Sequence, residues 1–141
     1  MKKAWVIYQS KTGITKRFAG ELGEFLTEKG LEVKVSSIQE FDPKGFVEVP
    51  DIVMLGCWTA GFMLMFQHPD KPWKDFAACL PDLGASKTAL FTTYKIATGS
   101  MFKSMQKHLS GKSAEVSLEL KSRNGKLSDS HRQQLDALVS R

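Results

Sequence analysis

Short apolar runs of strand length alternate with stretches of helical period along the chain, and this alternation limits the fold more than any other feature. Ala4 to Tyr8 is a continuous apolar run rich in strand formers. Lys16 to Lys29 reads as a helix, because Phe18, Leu22, Phe25 and Leu26 fall at helical spacing and Gly30 stands where a C-terminal cap belongs. Leu31 to Val35 alternates apolar and polar, the pattern of a strand near an edge. Ile38 to Val49, with Pro43 and Gly45, reads as an irregular crossover. Asp51 to Leu55 is a second buried strand, ended by Gly56, and Cys57 to Pro72 reads as irregular. A short helix is expected over Trp73 to Leu80, a strand over Lys87 to Thr92, a loop over Tyr94 to Gly99 and a helix over Ser100 to Leu109. Ala114 to Leu120 is the last strand, Asn124-Gly125 marks a turn, and Ser128 caps a final helix running to Val139.

Five strands separated by helices predict an α/β fold with a parallel sheet and helices on both faces. Right-handed crossovers leave few topologies, and the doubly wound order 2-1-3-4-5 fits five units in a three-layer sandwich. At 141 residues the chain is expected to form one domain over 1–141. No purely apolar run, Gly61 to Phe66 among them, approaches the roughly 20 residues a spanning helix needs, so no integral membrane segment is expected. Met1 to Tyr8 lacks the apolar length and small-residue cleavage site of a signal peptide, and the two cysteines, Cys57 and Cys79, read as reduced, buried or half-buried thiols. The expected compartment is the cytoplasm.

Ligands of doubly wound sheets bind at the carboxyl ends of the strands, where the winding reverses. The segments there are Gln9–Thr15, Gly56–Gly61 and Thr92–Gly99. In the first, Ser10-Lys11-Thr12-Gly13-Ile14-Thr15 follows a buried strand and opens a helix. Helix N-termini leave four backbone donors unpaired and carry partial positive charge, which suits a phosphate. The hydroxyls of Ser10, Thr12 and Thr15 each offer one further donor, and Gly13 lets the backbone approach closely. An ordinary helix cap by Thr12 or Thr15 would use the same residues. The spacing is neither a Walker A loop nor Gly-x-Gly-x-x-Gly.

Ser10-x-Thr12-Gly13-x-Thr15 resembles the phosphate loop of the flavodoxin family, Thr/Ser-x-Thr-Gly-x-Thr, with every fixed position matched. The resemblance extends to Asp51–Gly56 at the third strand and to Thr92-Thr93-Tyr94 after the fourth, and so covers most of the chain. It implies non-covalently bound FMN, with its phosphate held by the loop Ser10, Lys11, Thr12, Gly13, Ile14 and Thr15. It also implies a first ring-lining loop of Cys57, Trp58, Thr59, Ala60 and Gly61, and a second beginning at Thr93, Tyr94 and Lys95. Trp58 and Tyr94 are the aromatics expected to flank the ring.

Three departures from that family stand out. Its carriers are usually acidic near the flavin, whereas this chain has a net charge of +5 and no acid between Cys57 and Pro69. Between Asp82 and Glu115 it carries Lys87, Lys95, Lys103, Lys107 and Lys112 and no acid. Lys103 and Lys107 share one helix face with Lys95 in the loop before it, so an acidic redox partner protein is expected to dock there; the alternative is a merely solvated face, and no nucleic acid is expected. The apolar run Phe62-Met63-Leu64-Met65-Phe66 is either core or a lid over the ring. Leu118–Leu127 has no room for the insertion that splits the last strand in long-chain members.

His68, His108 and His131 lack any zinc spacing, and no Gly-x-Ser-x-Gly elbow is present. His68 lies where it could serve a bound ring. The leading expectation is an FMN-binding electron carrier with no catalytic residue of its own. The alternatives are an FMN-dependent oxidoreductase for a quinone- or porphyrinogen-type substrate, and a flavin-free binding module on the same fold.

Overall fold

The computed structural model describes residues 2–42, 49–62, 65–95, 98–112 and 114–140, and of residues 60–62 and 65–67 the backbone only. Eleven elements are described: β1 (Lys3–Gln9), α1 (Ile14–Glu28), β2 (Glu32–Ser37), β3 (Ile52–Trp58), β4 (Ala60–Phe62), β5 (Met65–His68), α2 (Lys71–Ala78), β6 (Lys87–Thr93), α3 (Met101–His108), β7 (Val116–Ser122) and α4 (Asp129–Ser140). Five strands form one sheet in the order β2-β1-β3-β6-β7, every neighbouring pair parallel. This is the predicted 2-1-3-4-5 winding.

The side-chain period of two explains the layers. Along β1, Ala4, Val6 and Tyr8 face one core and Ile7 the other; along β3, Ile52 and Met54 oppose Val53, Leu55 and Cys57. Central strands buried on both faces read as unbroken apolar runs. Helices α1 and α4 cover the first face through Phe18, Leu22, Phe25, Leu26, Leu135 and Leu138. Helices α2 and α3 cover the second through Trp73, Phe76, Met101 and Met105. The alternating strand β2 is an edge, as its pattern predicts, and β7 is the other, unsplit from Val116 to Ser122.

Three sequence expectations need correction. Gly56 does not end β3: the ring of Phe91 lies over it, and the strand continues to Trp58 because Cys57 and Trp58 pair with Thr92 and Thr93 of β6. The stretch Cys57–Pro72 is not irregular throughout, since β4 and β5 form an antiparallel pair with Ala60 opposite His68 and Phe62 opposite Met65. Cys79 is exposed at the C-terminal cap of α2 rather than half-buried. Residues 43–48 of the crossover expected over Ile38–Val49 lie outside the described residues, as do Met63 and Leu64 of the apolar run and Ile96 and Ala97 of the Tyr94–Gly99 loop.

Candidate functional site

The winding reverses between β1 and β3, and there the loop from Ser10 to Gly13 leads into α1. Gly13 is the residue before the first turn and holds φ at +93°, with open space where a Cβ would stand. Only glycine adopts this region routinely. The Ser10 Oγ accepts the Gly13 N–H at 3.0 Å and so folds the loop back on itself. No side chain caps α1, and its first turn contains no acid. The exposed N-terminus of a 15-residue helix therefore presents unpaired donors and partial positive charge beside the exposed side chains of Lys11 and Thr12. This donor set fits a phosphate.

Thr15 is placed differently from its loop partners. It is 1% exposed, and its hydroxyl shares a 2.6 Å hydrogen bond with the Thr93 hydroxyl at the end of β6. A second hydroxyl pair, Thr59 with Thr92 at 2.8 Å, joins the ends of β3 and β6, and Thr92 donates to the Cys57 carbonyl. Thr92 and Thr93 are thus braces within the strand ends. Cys57 belongs to β3 rather than to a loop, is fully buried, and has its thiol pushed upward in pKa chiefly by that burial.

Trp58 and Tyr94 come out at adjacent strand ends, for Trp58 pairs with Thr93 in the sheet register and Tyr94 follows. Both are half-buried. The Lys11 ammonium lies 4.9 Å from the Trp58 ring centroid. Lys121 and Arg123, at the end of β7, lie 6.0 and 5.8 Å from the Tyr94 ring, and Arg123 donates to the Lys95 carbonyl at 2.9 Å. Lys103 and Lys107 are exposed on α3. His108 is held below the ordinary imidazole range by partial burial, then by Lys74, Lys107 and His68 nearby. Helix α3 packs on β5, so the elements that carry His68 and His108, read separately in the sequence, lie together. Ala60 and Gly61 lie in β4.

Sequence reasoning missed an acid at the site. Asp70 follows the acid-free stretch, and the chain folds back to set its carboxylate against Trp58. One oxygen, Oδ2, accepts from Trp58 Nε1 at 2.8 Å and from Gln9 Nε2 at 2.9 Å. The other, Oδ1, caps α2 by accepting the Trp73 N–H at 3.1 Å and faces the Cys57 thiol at 3.7 Å. Gln39 donates to Gln9 at 2.8 Å. The N-cap position of Asp70 before Lys71-Pro72 was a readable signal; its reach to Trp58 was not.

Behind the phosphate-type loop stands the expected Asn124-Gly125 turn, whose packing partner the sequence did not name. The turn at Asn124-Gly125 packs on the first turn of α1: a Cβ on Gly125, whose φ is +77°, would meet the Ile14 carbonyl oxygen at 2.6 Å. Arg17 donates to the Asn124 carbonyl at 3.3 Å, and the Leu127 N–H donates to Glu21 at 3.2 Å. A groove of about 580 Å³ between the end of α3 and the start of β7, lined by Leu109, Gly111 and Val116 among others, opens at the opposite end of the sheet and takes no part in this site. Among the described residues no group of histidine, cysteine and acids is arranged to hold a metal, and no helix is long and apolar enough to cross a membrane.

A doubly wound parallel sheet with a hydroxyl-rich, uncapped helix start at its switch point defines a flavodoxin-like α/β domain. The sequence profile of the family described as Flavodoxin matches residues 6–138, and the chain belongs to that family. Its fold is similar to the two-electron reduced flavodoxin of Megasphaera elsdenii, with a TM-score of 0.75 at 18% identity over 98% of this chain and 99% of that one. It is also similar to oxidised flavodoxin 1 of Bacillus cereus, at TM-score 0.72 and 22% identity over 98% and 95% of the two chains. A flavodoxin from the domain Archaea matches at TM-score 0.70 and 20% identity over 96% and 92%. Likeness at these identities shows the shared fold. Flavodoxins bind FMN non-covalently and pass electrons to partner proteins, and in this winding the flavin sits at the switch between the first and third strands.

Proposed function

We propose that this protein is an FMN-binding electron carrier, exchanging electrons with a redox partner protein. The observation that carries the reading is the uncapped, acid-free start of α1 at the switch point, next to a half-buried tryptophan at the end of β3. When bound, FMN supplies the electron exchange itself. The chain's own residues bind and orient it. Ser10, Lys11, Thr12, Gly13 and Ile14 surround the phosphate, with Thr12 donating its hydroxyl and Lys11 supplying charge. Thr15 and Thr93 keep the helix start fixed to the sheet. Trp58 and Tyr94 would pack along the ring, with the backbone of Thr59, Ala60, Gly61 and Lys95 available beside it.

Lys11, Lys95, Lys121 and Arg123 stand at the strand ends, and Lys103, with Lys107 one turn further from the site, continues the basic surface along α3. This supports an acidic partner, drawn in by a field that salt screens. A carrier loaded with FMN is expected to be reduced slowly by free nicotinamide and quickly through a flavodoxin-type reductase protein. Rapid turnover of an organic acceptor with nicotinamide alone would contradict the carrier reading.

A further inference from the structure

We propose that Asp70 is a positioning residue of the flavin site, fixing the Trp58 indole against the ring while it caps α2. The inference rests on the reading of Trp58 as a ring partner and names the group that holds it there.

The carboxylate divides its work between its two oxygens. Oδ1 takes the Trp73 N–H, the cap of α2, and the weaker Cys57 thiol contact. Oδ2 takes the Trp58 indole N–H and the Gln9 amide. Gln9 is held in turn by Gln39, so one acid ties together the end of β1, the turn after β2, the end of β3 and the start of α2. An indole at a strand end is free to swing about its side-chain torsions unless its edge is anchored, and a charge-assisted bond is the stronger kind of anchor. Lys11 covers the same indole at 4.9 Å, so Trp58 is fixed at its edge by Asp70 and along its face by a residue of the phosphate-type loop. Trp58 thereby joins the two halves of the site.

This division gives a clean variant. In Asp70→Asn one carbonyl oxygen remains to cap α2, and asparagine is as good a cap as aspartate. With that oxygen on Trp73, the NH₂ group faces the Trp58 and Gln9 donors and can accept from neither. Asp70→Ser, whose single short-armed oxygen still caps a helix but does not reach the indole, is run beside it and removes the anchor whichever way the amide turns.

The test is the affinity of the flavin-free protein for FMN and for riboflavin, in wild type, Asp70→Asn, Asp70→Ser, Trp58→Phe, Trp58→Ala and the Asp70→Asn/Trp58→Phe double variant. Asp70→Asn is expected to weaken both ligands by a similar factor of about ten, because the ring and not the phosphate loses its support. In the Trp58→Phe background, which has no indole N–H to anchor, the same substitution is expected to change affinity less than twofold. In the flavin-free protein the Trp58 indole proton is expected to exchange slowly with solvent in wild type and at once in Asp70→Asn. Equal factors for Asp70→Asn in both backgrounds would overturn the proposal, since a purely structural or direct charge effect does not depend on the indole. So would unchanged affinities in Asp70→Ser while Trp58→Ala weakens both ligands. Unchanged affinities in Trp58→Ala would instead overturn the ring-packing role of Trp58 itself.

Discussion

Replacing Gly125 by alanine should damage the flavin site from behind, and replacing Gly13 by alanine gives the reference for how much. Both glycines hold positive φ, +93° at Gly13 and +77° at Gly125, so each alanine pays a left-handed backbone cost of about 1–2 kcal/mol. At Gly13 that is the whole cost, because nothing lies within 4 Å of the added methyl. At Gly125 the methyl would meet the Ile14 carbonyl oxygen at 2.6 Å and the Arg17 side chain at 3.2 Å. The first contact is with backbone and cannot be relieved by a rotamer change, so overpacking adds about 1–3 kcal/mol. Gly125→Ala is therefore expected to destabilise the flavin-free protein by roughly 2–5 kcal/mol against about 1–2 for Gly13→Ala. The assay is urea unfolding, read from midpoints at unchanged m. Because the clash displaces the first turn of α1, Gly125→Ala should also weaken FMN in the fraction that remains folded. A Gly125→Ala protein no less stable than Gly13→Ala, with FMN affinity intact, would refute the idea that the β7–α4 turn braces the phosphate-type loop.

Thr12→Val removes a hydrogen bond to a charged group, so FMN should weaken about tenfold to a hundredfold while riboflavin hardly changes; calorimetry with both ligands decides it. Native protein should show one rapidly reacting thiol, the exposed Cys79, and yield Cys57 only on unfolding, which a thiol-reagent titration with and without denaturant will count. His131 sits against Phe18 and accepts the Ser128 N–H through Nδ1, and burial holds it below its ordinary 6.5 against an opposing bond to the Lys121 carbonyl. Its stabilising contribution is thus present above pH 6.5 and lost as pH falls through the lower folded value, so wild type should lose stability faster than His131→Gln between pH 7 and pH 5. Reversing Lys95, Lys103 and Lys107 to glutamate should slow reduction by an acidic partner at low salt and abolish its salt dependence, as stopped-flow at several salt concentrations will read.

The winding was legible because central strands of a parallel sheet must be apolar on both faces, and β1, β3 and β6 are written that way. The turn from Ser10 through Gly13 into α1 was legible because a glycine among hydroxyls marks it locally. The end of β3 was not, since Gly56 looks like a terminator until the Phe91 ring is seen resting on it. The β4–β5 pair was hidden by a run without alternation or a turn dipeptide. Thr15 and Thr93 are 78 positions apart, and nothing local announces their shared hydrogen bond. Asp70 escaped for a related reason: counting charges along the first loop stops at Pro69, whereas the chain turns back and brings the next residue onto Trp58. Motifs record what a segment does alone; these contacts are made by topology.

The central claim is that FMN binds at the β1/β3 switch with Trp58 against its ring. Titrating flavin-free protein with FMN, while following flavin and tryptophan emission together, tests it directly. The account predicts saturation at one FMN per chain, strong quenching of both signals, and loss of most of the tryptophan change in Trp58→Ala. Absence of saturable binding would contradict it, as would quenching that survives in Trp58→Ala and disappears in Trp5→Ala or Trp73→Ala.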